Sequence, residues 1–204
     1  MRGGSLNFSD YSKVAYDIGR VAKSLGYRFF TSQQIEVDRI EVEEELLRKV
    51  TLLQEETYNL LPKVLLDSEI AKREFLIAPI FKLLLLNFGG QLFVEYQIEA
   101  NDTSDLKGKL DYLLKANSNL LVVEAKKDDF DAGGKQLIAE LVALSIAEDV
   151  DVVDGAVTNG RVWQFYQLDR QSKTISQEIA IYRFPEDARE LVSRLVWTLT
   201  YSAC

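Results

Sequence analysis

Asp111, Glu124 and Lys126 are the residues whose types and spacing suggest chemistry. The stretch LLVVEAKKDDF (120–130) begins as an apolar run of strand character and turns charged at Glu124. Side chains alternate across a strand, so Glu124 and Lys126 point to one side, with Val122 before them. The preceding strand-like run, KLDYLL, carries Asp111, and KANSN connects the two. A connection with an even number of residues, centred on Asn117-Ser118, sets Asp111 directly opposite Glu124; an odd loop or a bulge shifts the pairing by one. Directly opposed residues bring their Cβ atoms to roughly 4.5–5.5 Å, where like charges destabilise the sheet. A divalent cation between the two carboxylates reverses that sign. Hard ions such as Mg²⁺ sit on one or two carboxylates plus waters and substrate phosphate. Lys126, on the face of Glu124, is placed to orient or deprotonate a water, or to stabilise charge on a phosphoryl group. Such a metal polarises the phosphate and lowers the pKa of its water. The chemistry so assembled is phosphodiester hydrolysis without histidine. The plainer reading is a solvated strand end with a chance ion pair.

The elements that must position these residues fall into two zones. Up to about residue 66 the pattern is helical. SDYSKVAYDIGRVAKSLG (9–26) places Val14, Ile18, Val21 and Leu25 at helical spacing, with Ser9 or Asp10 as cap and Gly26 as stop. In the next helix, Leu46, Val50, Leu53, Thr57, Leu60 and Val64 alternate fours and threes up to an interruption at Pro62. That spacing suits a helix packed on its own domain, or a dimer seam. The second zone opens with DSEIAKREFLIAPIFKLLLLNFGG (67–90), a helix capped by Asp67 or Ser68 and ended by Gly89-Gly90. Strands follow over 91–100, 107–114 and 117–127, then a loop, DDFDAGG (128–134). KQLIAELVALSIAE (135–148) is a helix with Leu137, Leu141 and Leu144 on one face. A hairpin turns at Asn159-Gly160, a strand spans 174–184, and Pro185 opens the last helix.

Composition removes several function classes. The hydrophobic fraction of 47% in 204 residues suits an ordinary globular chain. With no histidine, His-based zinc sites and Ser-His-Asp triads are excluded. The single cysteine, Cys204, excludes an internal disulfide framework and suits a reducing cytoplasm, the expected location. The apolar run FLIAPIFKLLLL is broken by Pro79 and Lys82, so no membrane span is expected. A net charge of −8 is unlike the basic footprint of a nucleic-acid binder. Lys107, Lys109, Lys115 and Lys135 are candidate phosphate contacts, offset by Asp102, Asp105 and Asp128.

Asp111, followed by Glu124-Ala125-Lys126 at the end of the next apolar strand, resembles the core motif of the PD-(D/E)XK nuclease superfamily. SEIAKREFLIAPIFKLL resembles the family's first core helix, whose early glutamate often joins the site; Glu69 matches, with Glu74 as second choice. KQLIAEL resembles the helix after the lysine strand, where glutamine is common, and Gln136 matches. AVTNGRVWQFY resembles the strand-turn-strand of the N-terminal nuclease domain of type I restriction enzyme motor (R) subunits and their small relatives. The likeness runs from about residue 67 to 168. Leu110 stands where the motif has proline, and Glu140 where some relatives have tyrosine four residues after the glutamine.

The resemblance implies an α/β, restriction-endonuclease-like core over 67–204, a central mixed sheet flanked by helices in the order α-β-β-β-α-β, with a helical extension over 1–66. It implies a Mg²⁺- or Mn²⁺-dependent deoxyribonuclease serving restriction, defence or repair. Asp111 and Glu124 then hold the metal with the Ala125 carbonyl and Glu69, Lys126 activates or positions water, and Gln136 orients the site. The expected partner is DNA, with a homodimer or partner subunit through the N-terminal helices. The alternative is a catalytically inactive module of the same fold that binds DNA or protein.

Overall fold

The structure, a computed structural model, describes residues 6–32, 42–99, 105–116, 119–126 and 129–201. The chain begins with β1 (Leu6–Asn7), α1 (Phe8–Tyr11), α2 (Ile18–Ser24), β2 (Arg28–Ser32) and α3 (Glu44–Leu60). Next come α4 (Glu69–Lys72), a π-turn (Arg73–Ile77) and α5 (Ala78–Phe88), followed by β3 (Gln91–Ile98), β4 (Leu106–Ala116) and β5 (Asn119–Ala125). The remainder is α6 (Phe130–Ala147), β6 (Val152–Thr158), β7 (Val162–Asp169), β8 (Thr174–Arg183) and α7 (Ala188–Tyr201).

The architecture is mixed α/β, a large mixed sheet with helices on both faces. Strand order is β1-β4-β5-β6-β7-β8-β2, with β3 also paired to β4. β5 lies antiparallel to β4 and parallel to β6, and is buried along its whole length. Its alternation feeds two cores. Leu121, Val123 and Ala125 pack with α3, α5 and α7, while Leu120 and Val122 pack with α6 and the N-terminal segment. Among the described residues, no helix is long and apolar enough to cross a membrane.

The N-terminal zone is not purely helical. Asp17 accepts a hydrogen bond from the Arg20 N–H (2.9 Å) and starts α2 afresh, so the helix expected over 9–26 is split in two. β1 runs parallel to β4, and β2 runs parallel to β8. The face of α3 that spelled a seam is covered by the chain's own core: Leu46, Val50 and Thr57 are buried, with Leu46 and Val50 in the cluster that holds Leu191 and Leu195 of α7.

α6 starts five residues earlier than its periodicity suggests, because Asp129 caps it by accepting from the Ala132 N–H (2.9 Å). Gly133 and Gly134, which resemble loop residues in the sequence, lie inside this helix. A Cβ on Gly133 would stand 2.7 Å from Val157 Cγ1, and one on Gly134 would stand 2.8 Å from Tyr166 Oη. They are sites of close helix–sheet approach. At the far end, α7 begins at Ala188 rather than at Pro185, after a turn in which Asp187 accepts from the Arg183 N–H (2.9 Å).

α7 also buries Arg194, whose guanidinium pairs with Glu178 (2.7 Å) and Asp154 (3.4 Å) and lies over the rings of Phe165 and Trp197. Burial pushes the Asp154 carboxyl up to about 6, against the pull of Arg194. A carboxyl with a raised folded pKa stabilises most below its unfolded value and loses that contribution as pH rises through its folded value. Between pH 4 and pH 7, urea unfolding of the wild type should therefore lose about 2 kcal/mol more than Asp154→Asn does. Parallel pH profiles of the two proteins would refute this assignment.

Candidate active site

The β4–β5 ladder pairs Tyr112 with Val123, Leu113 with Val122 and Leu114 with Leu121. One step beyond Tyr112–Val123 in this register stand Asp111 and Glu124. On the other side of β4, Val94 pairs with Tyr112 and Tyr96 with Leu110, which leaves Glu95 beside Asp111. Glu95 holds a φ of 56°, so it interrupts the ladder rather than continuing it. Three carboxylates thus lie in one row on three adjacent strands, an arrangement that repels itself.

Cations and one backbone donor offset the repulsion. Lys126 Nζ lies 2.6 Å from Glu124 Oε1. Arg73 Nη1 lies 3.6 Å from Asp111 Oδ1 and 3.3 Å from Glu95 Oε1. Lys109 Nζ lies 3.0 Å from Glu95 Oε2. The Ala125 N–H donates to Asp111 Oδ2 at 2.8 Å, tying the end of β5 to β4. The Asp111 and Lys126 side chains keep 21% and 25% of their surface exposed, whereas Glu124 keeps 1%. The row is therefore closed at Glu124 and open at its neighbours.

α6 supplies the layer behind. Lys126 donates to Gln136 Oε1 (3.0 Å), and Gln136 Nε2 donates to Glu140 Oε1 (2.9 Å), one helical turn on. The Glu124 charge reaches the buried Glu140, and Glu124 Oε2 and Glu140 Oε2 each lack a hydrogen-bond partner among the described residues. Burial, then the Glu124 charge, raises Glu140 well above the ordinary range. Burial, then the Asp111 charge, pushes Glu124 up to about 7, although Lys126 pulls it down. Burial also raises Asp111 against the Ala125 hydrogen bond and the Arg73 charge. Desolvation pulls Lys126 down most strongly, but the charge and hydrogen bond of Glu124, with the charges of Asp111 and Glu140, together outweigh it, and the ammonium holds its proton more tightly than usual.

Asp111, Glu124, Lys126 and Gln136 are thus brought together, and Ala125 meets Asp111 through its N–H. Glu69 does not join them. It sits half-buried in the first turn of α4, capped by Ser68, and among the described residues no group of three or more acidic side chains is arranged to hold a metal. Glu74 is exposed. The side chain that reaches the site from this helix is Arg73. Of the candidate phosphate contacts, Lys115 pairs with Glu148 and Lys135 donates to the Val14 carbonyl. Lys107 and Lys109 line a cleft of about 710 Å³ that also borders Gln136, Asn7, Ser9 and Gln97. Lys127, Asp128 and Asp102 fall outside the described residues.

Arg73, Glu95 and Glu140 are the participants that sequence reasoning missed. The signal for Glu140 was its position four residues after Gln136; the signal for Arg73 was its position one turn after Glu69. Glu140→Leu would strand Gln136 Nε2 and should lower stability by about 1–3 kcal/mol. Glu140→Gln keeps an acceptor for Gln136 and should stay near wild type. Urea midpoints check this; equal losses in the two variants would contradict the role of the Gln136–Glu140 hydrogen bond.

No family model matches the chain, and no curated protein matches it.

Proposed function

We propose that the chain is a Mg²⁺- or Mn²⁺-dependent nuclease of the PD-(D/E)XK superfamily that hydrolyses phosphodiester bonds of DNA. The observation that carries this reading is the meeting of Asp111, Glu124 and Lys126 where the end of β5 lies against the middle of β4, partly open to solvent. The order α4/α5-β3-β4-β5-α6-β6 supports a restriction-endonuclease-like core around that site.

The donor set fits a hard cation. Glu124 Oε2 is buried and receives no N–H or hydroxyl donor, and the neighbouring Asp111 oxygens are hard, anionic and partly exposed. Asp111 and Glu124 would hold the ion with the Ala125 carbonyl. A bound Mg²⁺ or Mn²⁺ supplies Lewis-acid polarisation of the phosphate and a water of lowered pKa. Because Lys126 keeps its proton, its part is donation: it orients the attacking water or a phosphate oxygen through Nζ–H. Gln136 fixes the direction of that ammonium through its Oε1.

A second reading is a non-catalytic module of the same fold that binds DNA or protein. It draws on the net charge of −8 and on the prior engagement of both Asp111 oxygens and of Glu124 Oε1. One assay separates the two. Plasmid, linear and single-stranded DNA are incubated with Mg²⁺ or Mn²⁺ and the wild type, Glu124→Ala or Lys126→Ala. The nuclease reading expects metal-dependent cleavage that falls at least about 100-fold in each variant. No cleavage by the wild type in either metal, with no heat of metal binding, would overturn it in favour of the module.

A further inference from the structure

Arg73 is a candidate for a role that salt-bridge geometry alone does not require. Its guanidinium sits among three acceptors: Nε donates to Tyr112 Oη (3.1 Å), while Nη1 faces Glu95 Oε1 (3.3 Å) and Asp111 Oδ1 (3.6 Å). The plane lies over the Tyr112 ring, 4.8 Å from its centroid. Nη2 makes no hydrogen bond among the described residues, and the side chain keeps 16% of its surface exposed. The two N–H donors of Nη2 on this planar cation suit an anionic oxygen.

The backbone around this side chain is irregular twice. Arg73 opens the π-turn that joins α4 to α5, with the Ala78 N–H bonded to the Arg73 carbonyl. Pro79 stands just beyond and has no N–H to give the preceding turn, which is the local reason for the widened turn. Opposite, Glu95 holds its φ of 56°, unfavourable for a residue with a Cβ, and so turns its carboxylate to Arg73 and Lys109. π-turns and strained φ values gather at functional sites.

Asp111 has no oxygen to spare. Oδ2 is taken by the Ala125 N–H and Oδ1 faces Arg73. Any cation that takes Oδ1 must compete with this guanidinium. Resting on the nuclease reading above, we propose that Arg73 is the phosphate-contacting cation of the site. It holds Asp111 Oδ1 while no metal is present, yields that oxygen to the metal, and turns its N–H donors to a phosphate oxygen of the DNA strand. Glu95 and Tyr112 keep it in place during the exchange.

This role predicts effects of opposite sign on two measurements. A residue that merely props the site would weaken metal binding and cleavage together. A competitor that also contacts phosphate would, on removal, tighten the first and weaken the second. Mn²⁺ affinity by calorimetry without DNA, and single-turnover cleavage with saturating Mn²⁺, are measured for the wild type, Arg73→Gln and Arg73→Lys. Thermal melts show whether each variant is folded. Arg73→Gln should bind Mn²⁺ several-fold tighter and cleave at least about 10-fold more slowly. Arg73→Lys keeps the charge without the planar fork, and should hold wild-type Mn²⁺ affinity while recovering part of the rate. If the wild type binds Mn²⁺ and cleaves but Arg73→Gln loses both together, or changes neither, the proposal is overturned while the nuclease reading stands. A wild type that neither binds Mn²⁺ nor cleaves overturns both.

Discussion

Asp111 and Glu124 are like charges set side by side where the end of β5 meets the middle of β4, one of them sealed from solvent. Burying a carboxylate is costly unless it is paired or neutralised, and two adjacent ones compound the cost. Most of what surrounds them limits that cost. Lys126 and Arg73 bring positive charge, the Ala125 N–H binds Asp111, and burial beside Glu124 raises the Glu140 pKa well above the ordinary range. Replacing such a group with an apolar residue of similar size would be neutral or stabilising in many cores. A repulsive pair maintained with this much compensation is what the proposed cation site draws on, since perturbed carboxyls gather at functional sites.

The fold serves this pair by bringing α6 close to the sheet. The helix is buried from Gln136 through Ser145 because the sheet covers one side and α1 and α2 pack on another. Its glycines let it approach β6 closely enough for Gln136 and Glu140 to reach Lys126 and Glu124. The N-terminal segment therefore acts on the site indirectly, as the outer cover of the helix that braces it. α3 and α7 brace the opposite face through the other core.

The strand pairing at the heart of the site was legible in the sequence because a short connection between β4 and β5 fixes register. The observed ladder keeps the even-loop register, and the alternation of Val122 and Glu124 on one side holds. The segment between β3 and β4 is too long to set register by counting, so the place of Glu95 beside Asp111 could not be read. β2 has an irregular, mostly exposed pattern, which gives no strand periodicity. Gly133-Gly134 imitates a loop because a close-approach glycine and a turn glycine are the same letter. Glu140 stood at readable spacing from Gln136, but its burial comes from α1, α2 and the sheet, and only the assembled chain supplies that. Glu69 sits early in its helix, as its pattern suggests, yet the turn that follows sends Arg73 rather than Glu69 to the strands.

The proposed nuclease needs a cation between Asp111 and Glu124. The most direct test is a crystal grown with Mn²⁺, with anomalous differences collected near the manganese edge. The account predicts a peak shared by a carboxylate oxygen of Asp111 and one of Glu124, with Arg73 Nη1 withdrawn from Asp111 Oδ1. A map with no peak there, and with Lys126 and Arg73 still closed on the two carboxylates at saturating Mn²⁺, would contradict it.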